Sequence, residues 1–193
     1  LDELIENWRE IEECPVKTAV TQESLKFLTK DKSFNIPSIF VPPVMHNKGN
    51  FIISLGSFCK WLSQQAEELG VEIYPGFAAS DILSEDGKLK GIVTGDLGLT
   101  KEGERGQNFQ PGIEIEGKYT LFAEGCRGHL GKKLIDKFGL RENSQHQTYG
   151  IGLKELWEVR DDISNPGEVF HSIGWPLDDE TYGGSFLYHL DKN

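Results

Sequence analysis

Five residues, Glu124-Gly125-Cys126-Arg127-Gly128, separate the apolar run YTLFA from the helix-patterned stretch HLGKKL. A strand that enters a helix through two glycines leaves unpaired N–H groups at the helix N-terminus, where the dipole favours an anion such as pyrophosphate. Without side chains at the turn, a ligand can come close to the backbone. GxxG corners also join strands to helices for packing alone, and by itself this one leaves both readings open. A second run, GVEIYPGFAAS, ends in the small residues Gly76, Ala78 and Ala79, which leave room for a flat ring. Two strand ends of this kind suggest a nucleotide-binding crevice.

The other reactive residue types are dispersed. Cys14, Cys59 and Cys126 are an odd number and too far apart for a CxxC pair, which fits a reducing compartment. His46, His129, His146, His171 and His189 show no metal-ligand spacing. The net charge of −11 argues against nucleic acid as a partner, because phosphate contacts need clustered Lys and Arg. No run reaches the roughly 18 apolar residues of a membrane span, and the opening LDELIENWREIEE lacks the organisation of a signal peptide. The chain starts with Leu and stops just after SFLYHL, which reads as a fragment of a longer protein.

The pattern around these residues predicts a mixed α/β fold (α+β in part). Leu4, Trp8 and Ile11 predict a short acidic helix over residues 2–13. The stretch LKFLTKDKSFNIPSIFVPPV reads as a hairpin or extended loop around a Lys-Asp-Lys-Ser tip. Leu55, Phe58, Cys59, Leu62, Ala66 and Leu69 share one helical face, Gly70 stops that helix, and VEIY follows as a strand. Glu85-Asp86-Gly87 turns a hairpin in DILSEDGKLKGIVT. A polar, glycine-rich excursion precedes a strand over 113–123, and Leu130, Leu134, Ile135 and Phe138 mark a helix ended by Gly139. YGIGLKELWEV, EVFHSIGW and GGSFLYHL then predict a three-stranded meander.

GNFIISLGSFCKWLSQQAEELGVEIYPGFAASDIL, KYTLFAEGCRGHLGKKL, TYGIGLKELWEV and GWPLDDETYGGSFLYHL resemble, in spacing and order, the electron transfer flavoprotein–ubiquinone oxidoreductase family. The FAEGCRG corner alone would indicate only the wider group of FAD-dependent oxidoreductases. The resemblance implies an enzyme that takes electrons from reduced electron transfer flavoprotein through FAD and a [4Fe–4S] cluster to ubiquinone in the respiratory chain. Its GxGxxG fingerprint and its cluster cysteines are absent from this sequence. In those terms residues 1–147 are a partial, glutathione-reductase-like FAD-binding domain with a membrane-contacting hairpin at about 25–45, and 148–193 begin an antiparallel β ubiquinone-binding region.

Residue by residue, the resemblance places Ala78, Ala79, Glu124, Gly125, Cys126, Arg127 and Gly128 beside FAD, mainly through backbone groups. Cys126 is expected to be a small packing residue rather than a redox group, and Arg127 to balance a phosphate or to cap surface acids. Tyr182, Gly183 and Gly184 match the family's quinone site; read without the family they are a bulge or turn at a strand start. Phe27, Leu28, Phe34, Ile36, Ile39, Phe40 and Val41 match a surface that rests on the bilayer, with Lys26, Lys30 and Lys32 toward anionic headgroups. That implies peripheral attachment to a bacterial cytoplasmic or mitochondrial inner membrane. Tyr182, Tyr188, His171 and His189 lie near the quinone residues in sequence, but none is singled out as acid or base. A related isoprenoid reductase and a non-catalytic membrane module are the alternative readings.

Overall fold

In the computed structural model, which describes residues 1–191, the chain forms two compact units. One comprises Leu1–Ile73 together with the C-terminal stretch from Lys154, and the other Tyr74–Leu153. The first unit therefore interleaves the two ends of the sequence, whereas the expected division ran in chain order at 147/148. The last two residues of the span 148–193 lie outside the described residues.

The first unit is organised by a four-stranded sheet. Its strands are β2 (Gln22–Leu28), β3 (Ser33–Ile36), β10 (Glu168–Gly174) and β11 (Ser185–Tyr188), in the order β11-β10-β2-β3. The β2–β3 hairpin is antiparallel, with Phe27 opposite Phe34 and Leu25 opposite Ile36. β10 pairs antiparallel with β11 but parallel with β2, over seven residues from Glu168/Gln22 to Gly174/Leu28. The expected meander is thus replaced by a mixed sheet. The segment 149–159 takes no regular structure, leaving Ile151 and Trp157 exposed, and the sheet neighbour it would have supplied is β2.

Beside the sheet, β1 (Thr18–Ala19) pairs with β4 (Phe51–Ile52), and α1 (Leu55–Glu68) follows. Ser54 caps α1 by accepting from the Ser57 N–H, worth about 1 kcal/mol at such positions. At the far end Gly70, at φ 89°, and Val71 donate to the Glu67 and Ala66 carbonyls, closing a Schellman motif. α1 packs through Phe58, Trp61 and Leu62 onto Trp8 and Cys14. Leu55, Cys59 and Leu69, expected on the buried face, are exposed, so the stripe is rotated toward Trp61. Residues 2–13 yield only a 3-10 turn at Trp8–Glu10, since burial of Trp8 anchors the segment and no continuous helical face is covered. VEIY is not a strand: among the described residues no strand pairs with it.

In the second unit β5 (Ala79–Glu85), β6 (Lys88–Thr94) and β9 (Glu114–Glu116) form an antiparallel sheet. Asp86 and Gly87, at φ 48° and 74°, make the expected turn between β5 and β6. The polar excursion is a second hairpin, β7 (Leu97–Leu99) with β8 (Arg105–Gln110). The strand expected over 113–123 shrinks to β9, because β6 offers partners only to 114–116, and 119–123 take no regular structure. α2 (His129–Phe138) ends, as expected, at Gly139 in the left-handed region. The coarse fold is therefore mixed α/β, its sheets antiparallel apart from the parallel β10–β2 pair.

Candidate functional site

The register of the four-stranded sheet brings residues from three stretches of sequence onto one face. Side chains of paired residues project to the same side and alternate along each strand. One transverse row is Phe34, Phe27 and Ile173, and the next is Ile36, Leu25, His171 and Phe186. A third holds Glu23, Val169 and Tyr188. Gly184 lies one residue before β11, and a Cβ built on it would stand 3.5 Å from Ile173 Cγ2, which places it at the end of the first row. Gly184, expected in a quinone site, and Phe27 and Phe34, expected at a membrane, therefore share a surface.

The two glycines differ in their surroundings. A Cβ on Gly184 would collide with the Ser172 carbonyl oxygen, so close backbone approach requires glycine there. On Gly183 it would meet only Leu177 Cδ1 at 2.8 Å, the end of a flexible side chain. The turn before them is built by Asp178, whose carboxylate accepts from the N–H groups of Thr181 (2.8 Å) and Glu180 (3.2 Å). Hydrogen bonding from Thr181 is the first reason that the Asp178 carboxyl lies below its ordinary pKa. Tyr182 itself is fully exposed, so it contributes no enclosing wall in this chain.

Beyond the hairpin, Ile39, Phe40 and Val44 are exposed, as are Phe27 and Phe34. Leu28, Ile36 and Val41 are half-buried. The Lys30 and Lys32 side chains are exposed at the β2–β3 turn, closed by hydrogen bonds between Thr29 and Lys32. Lys26 belongs to the opposite face, with its ammonium 4.4 Å from the Phe170 ring centroid.

The 38–47 loop lies beside Ile36, Leu25 and His171 of the second row and Glu23 of the third, and with them borders a solvent-open cavity of about 180 Å³. Leu25, Ile36, Val41 and Met45 supply its apolar lining, while Glu23, His46 and His171 supply titratable groups. Glu23 accepts from the Asn47 N–H and lies 3.0 Å from His46 Nδ1. The backbone bond from Asn47, followed by the one from His46, holds the Glu23 carboxyl below its ordinary range. His171 Nε2 lies 3.0 Å from the Tyr188 hydroxyl. Sequence reasoning missed Glu23 and His46. The alternation of Glu23, Leu25 and Phe27 signals a shared face, but nothing local signals the loop that borders it.

In the second unit the corner Glu124–Gly128 and the strand start Ala78–Ala79 are neighbours. His129 Nε2 is 2.8 Å from the Ala79 carbonyl oxygen, and Lys133 donates to the Ser80 carbonyl and to Asp81. Gly125 has φ 75°. The N-terminus of α2, however, is met by the chain itself: Glu124 accepts from the N–H groups of Leu130 (3.3 Å) and Gly131 (2.8 Å). Its carboxylate also lies 3.2 Å from His129 Nδ1. A carboxylate seated there repels a phosphate while offering lone pairs to hydroxyl groups, so the corner fits a hydroxyl-bearing part of FAD better than its pyrophosphate. Arg127 stacks over Tyr149, 4.8 Å from the ring centroid. Cys126 is exposed, contrary to the close-packed position expected from its size. For the iron–sulfur cluster the residues do not fit, since no group of three or more potential metal ligands occurs among the described residues.

Among the described residues no helix is long and apolar enough to cross a membrane. The family description "ETF-QO, ubiquinone-binding" matches residues 149–193, which contain β10 and β11. Over essentially the whole chain, the sequence is 52% identical to the mitochondrial electron transfer flavoprotein-ubiquinone oxidoreductase of Arabidopsis thaliana. It is likewise 52% identical to the electron transfer flavoprotein-ubiquinone oxidoreductase of Pseudomonas aeruginosa and 50% identical to the mitochondrial one of Bos taurus. These alignments cover 99–100% of this chain and 30%, 35% and 31% of the respective relatives. The chain thus spans about a third of the length of the curated relatives it matches.

Proposed function

We propose that this chain, which belongs by sequence to the electron transfer flavoprotein–ubiquinone oxidoreductases, is the part of such an enzyme that receives ubiquinone from the membrane. In this reading the whole enzyme moves electrons from reduced electron transfer flavoprotein to ubiquinone, and the four-stranded sheet is the quinone's landing surface. The observation that carries the reading is the shared face: Phe34, Phe27, Ile173 and Gly184 stand in one row within and beside the segment matched as ubiquinone-binding.

The physical logic follows from the substrate. A quinone has a flat ring with two carbonyl acceptors and an apolar tail that stays in the acyl region, so its site must open onto lipid and still offer donors. Phe27, Phe34, Ile39 and Phe40 provide an apolar contact, and Lys30 and Lys32 suit anionic headgroups. Gly183 and Gly184 let the ring approach the strand. The enzyme is then held at the surface of a bacterial cytoplasmic or mitochondrial inner membrane as a peripheral protein.

The second unit, in the same reading, contributes to a glutathione-reductase-like FAD domain. Ala78 and Ala79 leave room beside the cofactor, and the corner Glu124–Gly128 meets it chiefly through the Glu124 carboxylate. FAD, when bound, supplies the electron-accepting chemistry toward the flavoprotein donor; this chain supplies placement. The [4Fe–4S] ligands would come from elsewhere in the parent polypeptide.

The test is steady-state reduction of a soluble ubiquinone analogue by the full-length parent, with reduced electron transfer flavoprotein as donor and flavin and iron contents recorded. Turnover with both cofactors present is expected. Flavin binding without oxidation of this donor would overturn the reading in favour of a related reductase.

A further inference from the structure

We infer that Asp178 is a positioning residue for quinone binding: its carboxylate holds the Tyr182-Gly183-Gly184 segment in the shape that meets the ring. This rests on the quinone reading above and adds to it a residue that does not itself touch the quinone.

Three observations converge on the loop 175–184, which leads from β10 to β11. First, the segment needs support from outside itself. Two consecutive glycines have wide backbone freedom, so an unheld pair would have to be ordered each time a ring docks. Tyr182 does not hold it, since its side chain is fully exposed. Second, the downstream end is fixed by β10. The Ser172 carbonyl oxygen stands against Gly184, and the hydroxyl of the buried Ser172 shares a 2.6 Å hydrogen bond with that of its cross-strand partner Ser185.

Third, the upstream end is fixed by Asp178. Its carboxylate accepts from the N–H groups of Glu180 (3.2 Å) and of Thr181 (2.8 Å), the residue immediately before Tyr182. Two donors on an ionised acceptor make charge-assisted bonds, which are stronger than neutral ones. The root of the loop is itself tied to the sheet, because Trp175 N–H donates to the Leu28 carbonyl and Leu177 N–H to the Gly174 carbonyl. Leu177 Cδ1 lies 2.8 Å from where a Gly183 Cβ would stand, so the root and the glycine pair are neighbours. Asp178 thus closes the chain between an anchored root and residue 181, and sets the direction in which it arrives at Gly183.

The experiment is steady-state reduction of a soluble ubiquinone analogue by the full-length parent, with reduced electron transfer flavoprotein as donor. Wild type is compared with Asp178→Ala, Asp178→Asn and Asp179→Ala, and kcat and the KM for quinone are read separately. Loss of the acceptor in Asp178→Ala is expected to raise the quinone KM about fivefold at unchanged kcat, because binding must then order the segment. Asp178→Asn keeps an acceptor oxygen in the same place and should return KM to within about twofold of wild type. Asp179→Ala removes the adjacent charge without removing either bond and should match wild type. A merely structural role would lower the amount of active enzyme, and with it kcat, at unchanged KM. If Asp178→Ala does not load flavin, Asp178→Glu, which keeps the charge but displaces the oxygen by one methylene, carries the comparison. A wild-type quinone KM in the acceptor-loss variant, or an equal rise in Asp178→Asn or Asp179→Ala, would overturn this inference and leave the broader quinone reading standing. Failure of flavin-loaded wild type to reduce the quinone would overturn both.

Discussion

At Gly184 the role of a single hydrogen atom is structural before it is functional. A methyl group there collides with the Ser172 carbonyl, so Gly184→Ala is expected to destabilise the β10–β11 edge by about 1–3 kcal/mol. Gly183→Ala meets only a movable Leu177 methyl and should stay within about 0.5 kcal/mol of wild type. Urea unfolding of both variants checks the contrast, and it makes Gly183 the cleaner position at which to probe quinone binding. Glu124 offers a second case. Its carboxylate satisfies two N–H groups of α2, so Glu124→Ala should cost about 1 kcal/mol, read by the same method. Glu23 adds a pH dependence of known sign. Its folded pKa lies below the ordinary 4.5, so its contribution is complete above that value and is lost as pH falls through the folded pKa. Acid unfolding below about pH 4.5 should begin with release of the 45–47 segment, and Glu23→Gln should remove that pH dependence; hydrogen exchange at the Asn47 amide reports it.

Among the elements, the β2–β3 hairpin carries the membrane argument. Phe27 and Phe34 are direct cross-strand partners and are exposed, so converting both to Thr, a pair that suits facing strand positions, should leave the ladder intact and release the full-length parent from liposomes. Sedimentation with phosphatidylserine vesicles measures this. Lys30→Ala and Lys32→Ala should each weaken binding by about 1 kcal/mol at low salt and by little at high salt. The hairpin, both α-helices, the Asp86-Gly87 turn and strands β10 and β11 were legible because their signals are local: alternation, a helical stripe, or a positive-φ turn. The failures were of a different kind. VEIY and YGIGLKELWEV have strand-like composition, yet a strand exists only where a partner presents its backbone, and composition does not name a partner. On α1 the spacing of Leu55, Cys59 and Leu69 predicts the buried stripe, but the fold leaves those three exposed and buries Trp61 instead.

For the molecule as a whole, the decisive feature is the parallel pairing of β2 with β10, which joins segments from opposite ends of the chain. No period or motif announces such a pairing, and without it the glycine pair and the phenylalanine pair look like unrelated sites. The sequence did display both pairs, along with the FAEGCRG corner; the sheet shows that Gly184 and Phe27 belong to one surface, and α2 shows that the corner's helix end is already met by Glu124. Contiguous exposed apolar residues of this extent mark a contact surface. The most direct measurement is photo-crosslinking. The full-length parent, reconstituted on liposomes that carry a photoreactive ubiquinone, would be illuminated, digested and mapped by mass spectrometry. Label in the peptides that hold Phe27, Phe34, Ile173 and Gly184 is the predicted result, whereas label confined to other parts of the protein, with these peptides unmodified, would contradict the account.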